Sequence, residues 1–232
     1  MTRISRVRWA HAYRVINSRY PPIDVFERVA DPADWDTLMR LEALTNPRVR
    51  QEWGEIALVP AGERVTGPGA SWVMAAFAHI ARHSRFSDGS YGVYYASAAL
   101  ETAIRETAFH FGRFLVATAE PRGSMLELRA LVSTGVDQRY HDLRTGHPEL
   151  HLPDDYRPSQ AFARPLREAG SNGIVYRSVR DPGGRCLAVL RPRAITLPVQ
   201  GPHLRYHFDG ARIDRWLRLG DPDWHALGSQ SA

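Results

Sequence analysis

Lysine is missing altogether from this chain, whose 30 basic residues are all arginine. They are spread along its length, with no basic stripe or tail. A net charge of +5 and a pI near 9.7 would suit a polyanion, because basic proteins gain affinity by releasing counterions. The even spread reads instead as a solvated surface, so no direct nucleic-acid partner is expected. A noncatalytic basic nucleic-acid-binding protein is the alternative from another functional class. Cysteine is almost as scarce. The single Cys186 excludes an internal disulfide and a cysteine metal cage, and its place in the apolar run CLAVL suits a buried, inert thiol. No run approaches the roughly eighteen apolar residues of a membrane-spanning helix, and MTRISRVRWAHAYRV has no long apolar segment after its basic residues. The expectation is a cytoplasmic chain with no membrane partner. Also missing are G-x-G-x-x-G, G-x-x-x-x-G-K-[ST] and H-E-x-x-H, the usual dinucleotide, triphosphate and zinc-protease signatures. His79, His83, His110, His141, His147 and His151 are scattered, so no metal site is expected.

What is present is an ordinary globular composition, 44% hydrophobic and 24% charged over 232 residues, enough for a sizeable core. Without repeats or a linker-like tract, the reading is a single domain over residues 1–232. The pattern predicts α+β: a compact mixed β core flanked by helices, with an N-terminal helical insertion at about 31–82 and a C-terminal extension at about 193–232. In DPADWDTLMRLEALTNP, Asp31 can cap a helix that Asn46-Pro47 stops, and a second helix is predicted from Ser71 to about Arg82. GVYYAS reads as a strand, followed by a helix opened by Ser97. Further strands are predicted at Phe114 to Thr118, Met125 to Val132, Gly173 to Ser178, Cys186 to Leu190 and Leu204 to Phe208. A helix is expected from Ser159 to Ala169, kinked or split by Pro165.

The segment SRFSDGSYGVYYASAALETAIRETAFH places Arg85 ten residues before Tyr95 and Tyr95 eleven before Glu106. The three positions straddle a polar loop, a strand and a helix, elements that can converge on one cleft. On the helix, Leu100, Ala103, Ile104 and Thr107 form the core-facing stripe, and Glu106 lies about 200° around from Ile104. By periodicity alone Glu106 is a solvated glutamate, or one paired with His110 at i+4. Tyr94 and Tyr95 point to opposite faces of the strand, so one joins the core while the other can face a cleft.

This arginine, tyrosine and glutamate spacing resembles the active-site pattern of the RES-domain family, which is named for Arg, Glu and Ser residues. Ser178 in GIVYRSVRDPGG resembles the family's serine, and AYRV resembles its opening segment, which makes Arg14 the corresponding first arginine. The similarity runs from about Tyr13 to Pro192. Where the family commonly shows Gly-Gly-Arg-Trp-Asn, this chain has His83-Ser84-Arg85-Phe86-Ser87.

The resemblance implies an ADP-ribosyltransferase-like fold and the toxin of a toxin-antitoxin pair that degrades NAD⁺. On that reading NAD⁺ is the substrate, no cofactor is required, and the acceptor of ADP-ribose is phosphate or water. The alternative within the same chemistry is a protein mono-ADP-ribosyltransferase. The implied catalytic residues are Glu106, Arg85 and Tyr95, with Arg14, Arg85, Phe86, Ser87, Tyr95 and Ser178 binding NAD⁺. The implied partner is an Xre-like helix-turn-helix antitoxin, and a homodimer is compatible with the pattern.

Overall fold

A computed structural model describes residues 2–19, 31, 35, 37, 54, 56–80 and 83–228. Among them are eight strands, β1 (Ile4–Asn17), β2 (Tyr94–Ser97), β3 (Met125–Leu143), β4 (Gly173–Arg177), β5 (Arg185–Val189), β6 (Val199–Phe208), β7 (Ile213–Arg218) and β8 (His225–Ala226). Three helices accompany them: α1 (Ala70–Ala78), α2 (Leu100–Ala117) and α3 (Arg157–Glu168). The fold is mixed α+β, as the pattern predicts.

The long strand β3 organises the sheet. It pairs antiparallel with β1 from Leu128 to His141, and its first half pairs with β6. Its last residues, His141 to Leu143, pair parallel with β4. β4 pairs with β5, β5 with β2, and β2 returns to β1 through Tyr13 and Ser97. The ring β1-β2-β5-β4-β3 therefore closes on itself, while β6, β7 and β8 continue outward from β3. β5 lies between β2 and β4 and sets their register, with Tyr95 level with Ile174 and Ser97 level with Tyr176, two residues before Ser178.

Tyr94 is buried with Trp9, Trp35 and α1, whereas Tyr95 packs toward Phe86, Tyr176 and Leu143 on the opposite side of the strand. That is the alternation expected of β2. A third cluster lies between α2 and the β6-β7 arm, where Ala103, Ile104, Ala108 and Leu115 meet Leu204, Tyr206 and Ile213. Gly112 lets this contact close, since a Cβ there would stand 3.3 Å from the Ile213 nitrogen.

Several expectations are corrected. Phe114 to Thr118 is not a strand but the end of α2. A five-residue apolar run fits either element, and here Leu115 continues the helix's buried face while Phe114 and Val116 stay exposed. Ser97 does not open the helix: it ends β2, buried with its Oγ 3.5 Å from Cys186 Sγ, and the residue before α2 is Ala99, which offers no side-chain cap. Pro165 does not split α3, which runs as one element from Arg157 to Glu168. It sits one turn from the helix end on the exposed side, where the carbonyl it leaves unpaired, that of Ala161, faces water. The helix predicted from Ser71 to about Arg82 ends at Ala78. Most of the helix predicted over 31–47 lies outside the described residues, whereas the described later part of the proposed helical insertion, 56–80, holds two 3-10 turns (Ile56–Leu58 and Ala61–Glu63) and α1. Strands β1, β7 and β8 have no counterpart among the strands that the sequence pattern predicts.

No helix among the described residues is long and apolar enough to cross a membrane.

Candidate active site

The site is built where the loop before β2, the end of β4 and the side of α2 meet. The loop comes first. Ser84 and Ser87 exchange backbone hydrogen bonds across a tight turn whose two central residues are Arg85 and Phe86. Neither His83 nor Ser84 has a positive φ, so this turn forms without glycine at those positions. Side chains from elsewhere clamp it. The Ser159 hydroxyl donates to the Arg85 carbonyl at 2.5 Å, and Gln160 Nε2 donates to the carbonyls of Ser84 and Ser87. The Phe86 N–H donates to the Tyr95 hydroxyl at 2.9 Å, and that hydroxyl also bonds Ser84 Oγ.

Phe86 is 0% exposed and packs edge-on against Tyr176 with centroids 5.0 Å apart. It supports the loop from below, out of reach of a ligand. Ser87 is likewise engaged within the loop, donating to the Tyr91 carbonyl and accepting from the Gly89 N–H.

Arg85 is only 7% exposed. Its Nη1 donates to the carbonyls of Leu152 at 2.9 Å and Leu150 at 3.4 Å, and its guanidinium lies 4.8 Å over the Tyr156 ring. The fixed hand of the fork leaves the Nε and Nη2 edge without a partner among the described residues, ready for a bidentate anion.

Glu106 is not the solvated glutamate, nor the partner of His110, that periodicity suggests. α2 has two occupied sides: besides the stripe on the β6-β7 arm, a second stripe of Thr102, Glu106 and Phe109 faces the turn after β4. The Thr102 hydroxyl donates to Asp181 at 2.6 Å, and the Arg180 guanidinium sits 3.4 Å over the Phe109 ring. Between these contacts the Ser178 hydroxyl donates to Glu106 Oε1 at 2.5 Å. Ser178 Oγ also accepts the backbone N–H groups of Arg180 and Asp181, which leaves its own hydrogen aimed at the carboxylate. The strand-end cap and the glutamate partner are therefore one residue. Gly184 closes the turn, its carbonyl accepting from the Ser178 N–H; a Cβ there would come within 2.8 Å of the Thr102 methyl.

Burial pushes the Glu106 carboxyl above its ordinary range; the Ser178 hydroxyl, the Arg85 and Arg180 cations and the Val179 N–H pull in the opposite direction. The same burial, with Glu106 nearby, raises the Cys186 thiol, which lies 4.0 Å from Glu106 Oε1 and stays protonated. Burial pushes the Tyr95 phenol up to about 12, so it acts as a neutral group.

Arg14 stands apart from this cluster. It donates from Nη1 to the Tyr95 carbonyl at 3.2 Å, while its guanidinium stacks 4.6 Å over Tyr94 on the other side of the strand. Its Nε is buried without a partner among the described residues. The structure thus brings Arg85, Tyr95, Glu106 and Ser178 together, joins Arg14 to them through the backbone of Tyr95, and seats Phe86 and Ser87 in the supporting loop. Sequence reasoning missed Arg180, Ser159 and Gln160. A Thr102, Glu106, Phe109 spacing of i, i+4, i+7 was the available signal for the second stripe; the two α3 residues carried none, because polar residues on an amphipathic helix read as solvated.

Two results follow for the site. Tyr95→Phe leaves the Phe86 N–H unpaired in a buried loop, so the folded state should lose about 1–3 kcal/mol, seen as a lower midpoint in denaturant. An unchanged midpoint contradicts the anchoring role. Ser178→Ala removes the hydrogen bond that favours the charged carboxylate, so the Glu106 carboxyl should titrate still higher. If the carboxylate is the active form, the variant's activity then rises with pH later than that of the parent; profiles of identical midpoint contradict this.

An arginine fork, a tyrosine and a serine-oriented carboxylate, set where a closed sheet meets a helix, define a mixed α+β domain with a compact polar site. The chain belongs to the RES domain family, whose model matches residues 61–209. The match takes in Arg85, Tyr95, Glu106 and Ser178 and leaves Arg14 outside it. A relative from Sinorhizobium fredii (strain NBRC 101917 / NGR234), the uncharacterized protein y4oC, is 30% identical over 211 residues, 90% of this chain and 87% of that protein. Among solved structures, the M. tuberculosis MbcT-MbcA toxin-antitoxin complex contains a chain similar at 12% identity and a TM-score of 0.43, over 84% of this chain and 85% of that one.

Proposed function

We propose that this chain cleaves the nicotinamide-ribose bond of NAD⁺ as the toxin of a toxin-antitoxin pair. The observation that carries the reading is the serine-held Glu106 carboxylate within the field of Arg85, whose Nε and Nη2 make no hydrogen bond among the described residues. Departure of neutral nicotinamide from C1 of the ribose leaves positive charge on the ring, and a fixed carboxylate stabilises that oxocarbenium-like state. The leaving group is already cationic in NAD⁺, so no general acid is needed, and one carboxylate suffices where ordinary glycosidases use two. Arg85 holds the pyrophosphate through its free edge, while the half-buried ring of Tyr95 positions the nicotinamide and ribose for cleavage. Water or phosphate then attacks C1 and gives ADP-ribose or its 1-phosphate.

The reading extends to place and partner. The chain works in the cytoplasm, where uncontrolled loss of NAD⁺ would be lethal, so an Xre-like helix-turn-helix antitoxin restrains it. The test is incubation of purified chain with NAD⁺, with and without phosphate, and identification of every ADP-ribose product. Stoichiometric nicotinamide with free ADP-ribose or its 1-phosphate supports the reading. Label on protein without free product favours a mono-ADP-ribosyltransferase, and intact NAD⁺ overturns both.

A further inference from the structure

Near the cluster of Arg85, Tyr95, Glu106 and Ser178, His151 carries a buried ring nitrogen that has no hydrogen bond among the described residues. His151 ends the 3-10 turn Pro148–His151 and is 6% exposed. Its Nδ1 lies 2.9 Å from the His147 carbonyl. A carbonyl only accepts, so Nδ1 carries the hydrogen, and in the neutral ring Nε2 is left as a lone-pair acceptor. Burial is the main influence holding this histidine below its ordinary range, aided by Arg177, Arg85 and His147, and it is therefore neutral near pH 7. Nε2 itself is buried without a hydrogen bond among the described residues. Buried acceptors are ordinarily satisfied, so one left open beside a polar site points to a donor that arrives with a ligand.

The surroundings say which ligand group that is. The carbonyls on either side of His151, those of Leu150 and Leu152, are the two that hold Arg85 Nη1. The imidazole lies 6.5 Å from the Tyr176 ring, and Tyr176 and Ser178 are two residues apart along the same stretch of chain. His151 is therefore flanked along the chain by the carbonyls that hold the arginine that would take a pyrophosphate, and its ring lies beside Tyr176, two residues before Ser178. In a dinucleotide the donors nearest the pyrophosphate are ribose hydroxyls; the adenine amino group and the carboxamide lie at its two ends.

We propose that His151 is a substrate-binding residue whose Nε2 accepts a hydrogen bond from a ribose hydroxyl of the dinucleotide. The inference rests on the NAD⁺ reading and adds a specificity contact to it. A Glu106→Gln chain, able to hold NAD⁺ uncleaved, is titrated with NAD⁺ by calorimetry, alone and with His151→Leu or His151→Gln added. His151→Leu should weaken binding about 3- to 10-fold, the scale of one neutral hydrogen bond. His151→Gln, which offers an amide oxygen as acceptor, should recover part of the loss. Dinucleotides lacking a 2- or 3-hydroxyl on either ribose are then titrated in turn. At least one should bind the parent about 3- to 10-fold more weakly than NAD⁺ while binding the leucine variant no worse than NAD⁺ does. A merely structural histidine would not give that coupling. Should the leucine variant fail to fold, the analogue series on the parent and the glutamine variant decides: no deoxy analogue with a penalty overturns the assignment. Equal NAD⁺ affinity in parent and leucine variant overturns it too, as does an analogue penalty that persists in the variant. Nicotinamide release by the unaltered chain reports the cleavage reading separately; binding with this His151 dependence but no release sinks that reading and leaves His151 standing. No NAD⁺ binding by any of these chains overturns both.

Discussion

Replacing Glu106 with glutamine should lower nicotinamide release by about a thousandfold, the scale seen when one preorganised electrostatic group is removed from an active site. The change is nearly isosteric. The amide oxygen can still accept from Ser178, so the turn after β4 and the packing of α2 should survive. What disappears is the negative charge opposite the developing oxocarbenium. The measurement is kcat/KM for NAD⁺ alongside the thermal midpoint. A fold retained with turnover nearly abolished supports the role; a variant within a few-fold of the parent removes Glu106 from the chemistry. A pH profile adds a signed test. Because burial raises the Glu106 carboxyl, the active carboxylate should fill in as pH rises through a midpoint above the ordinary glutamate value. Activity should therefore fall as pH drops through that midpoint, and a profile falling only below pH 4 would contradict it.

Arg85→Lys should be the second most damaging change, with kcat/KM down about 10- to 100-fold, the equivalent of losing charge-assisted hydrogen bonds. The arginine does two things at once. Nη1 fastens the loop to the carbonyls of Leu150 and Leu152, and the Nε and Nη2 edge is left for the substrate. A lysine keeps the charge but offers a single ammonium, which cannot grip two carbonyls and present a flat fork together. Most of the loss should appear in KM, because the pyrophosphate is bound in ground state and transition state alike. Full rescue by lysine would reduce Arg85 to bulk positive charge.

Much of the scaffold could be read from short-range pattern. Short apolar or alternating runs bounded by turn residues located β4, β5, the first part of β3 and the second half of β6, and the Tyr94-Tyr95 alternation assigned the two rings to opposite faces of β2. The failures share a physical origin. Phe114 to Val116 is apolar enough for a strand, and only the continuation of α2 from Leu100 decides for helix. Strand β1, ISRVRWAHAYRVIN, buries Val7 and Trp9 in alternation but then Ala12 and Val15 three residues apart, with exposed Arg6, Arg8 and His11 between, so it gains its identity from pairing along β3 rather than from its own sequence. Within the site, spacing and resemblance picked out Arg85, Tyr95, Glu106 and Ser178, whose meeting depends on the pairing of β2 and β4 with β5 and on α2 packing against the turn after β4. Periodicity pointed Glu106 toward water because it recognises one buried face per helix, whereas α2 has two. Arg180, Ser159 and Gln160 act through contacts separated by many tens of residues, and no local pattern carries such information.

The measurement that bears most directly on the account is nicotinamide release from NAD⁺ by the purified, folded chain, followed beside the Glu106→Gln variant under the same conditions. The account predicts one nicotinamide for each NAD⁺ lost with the parent and almost none with the variant. NAD⁺ left intact by a folded parent chain, or consumed equally by both, would contradict it.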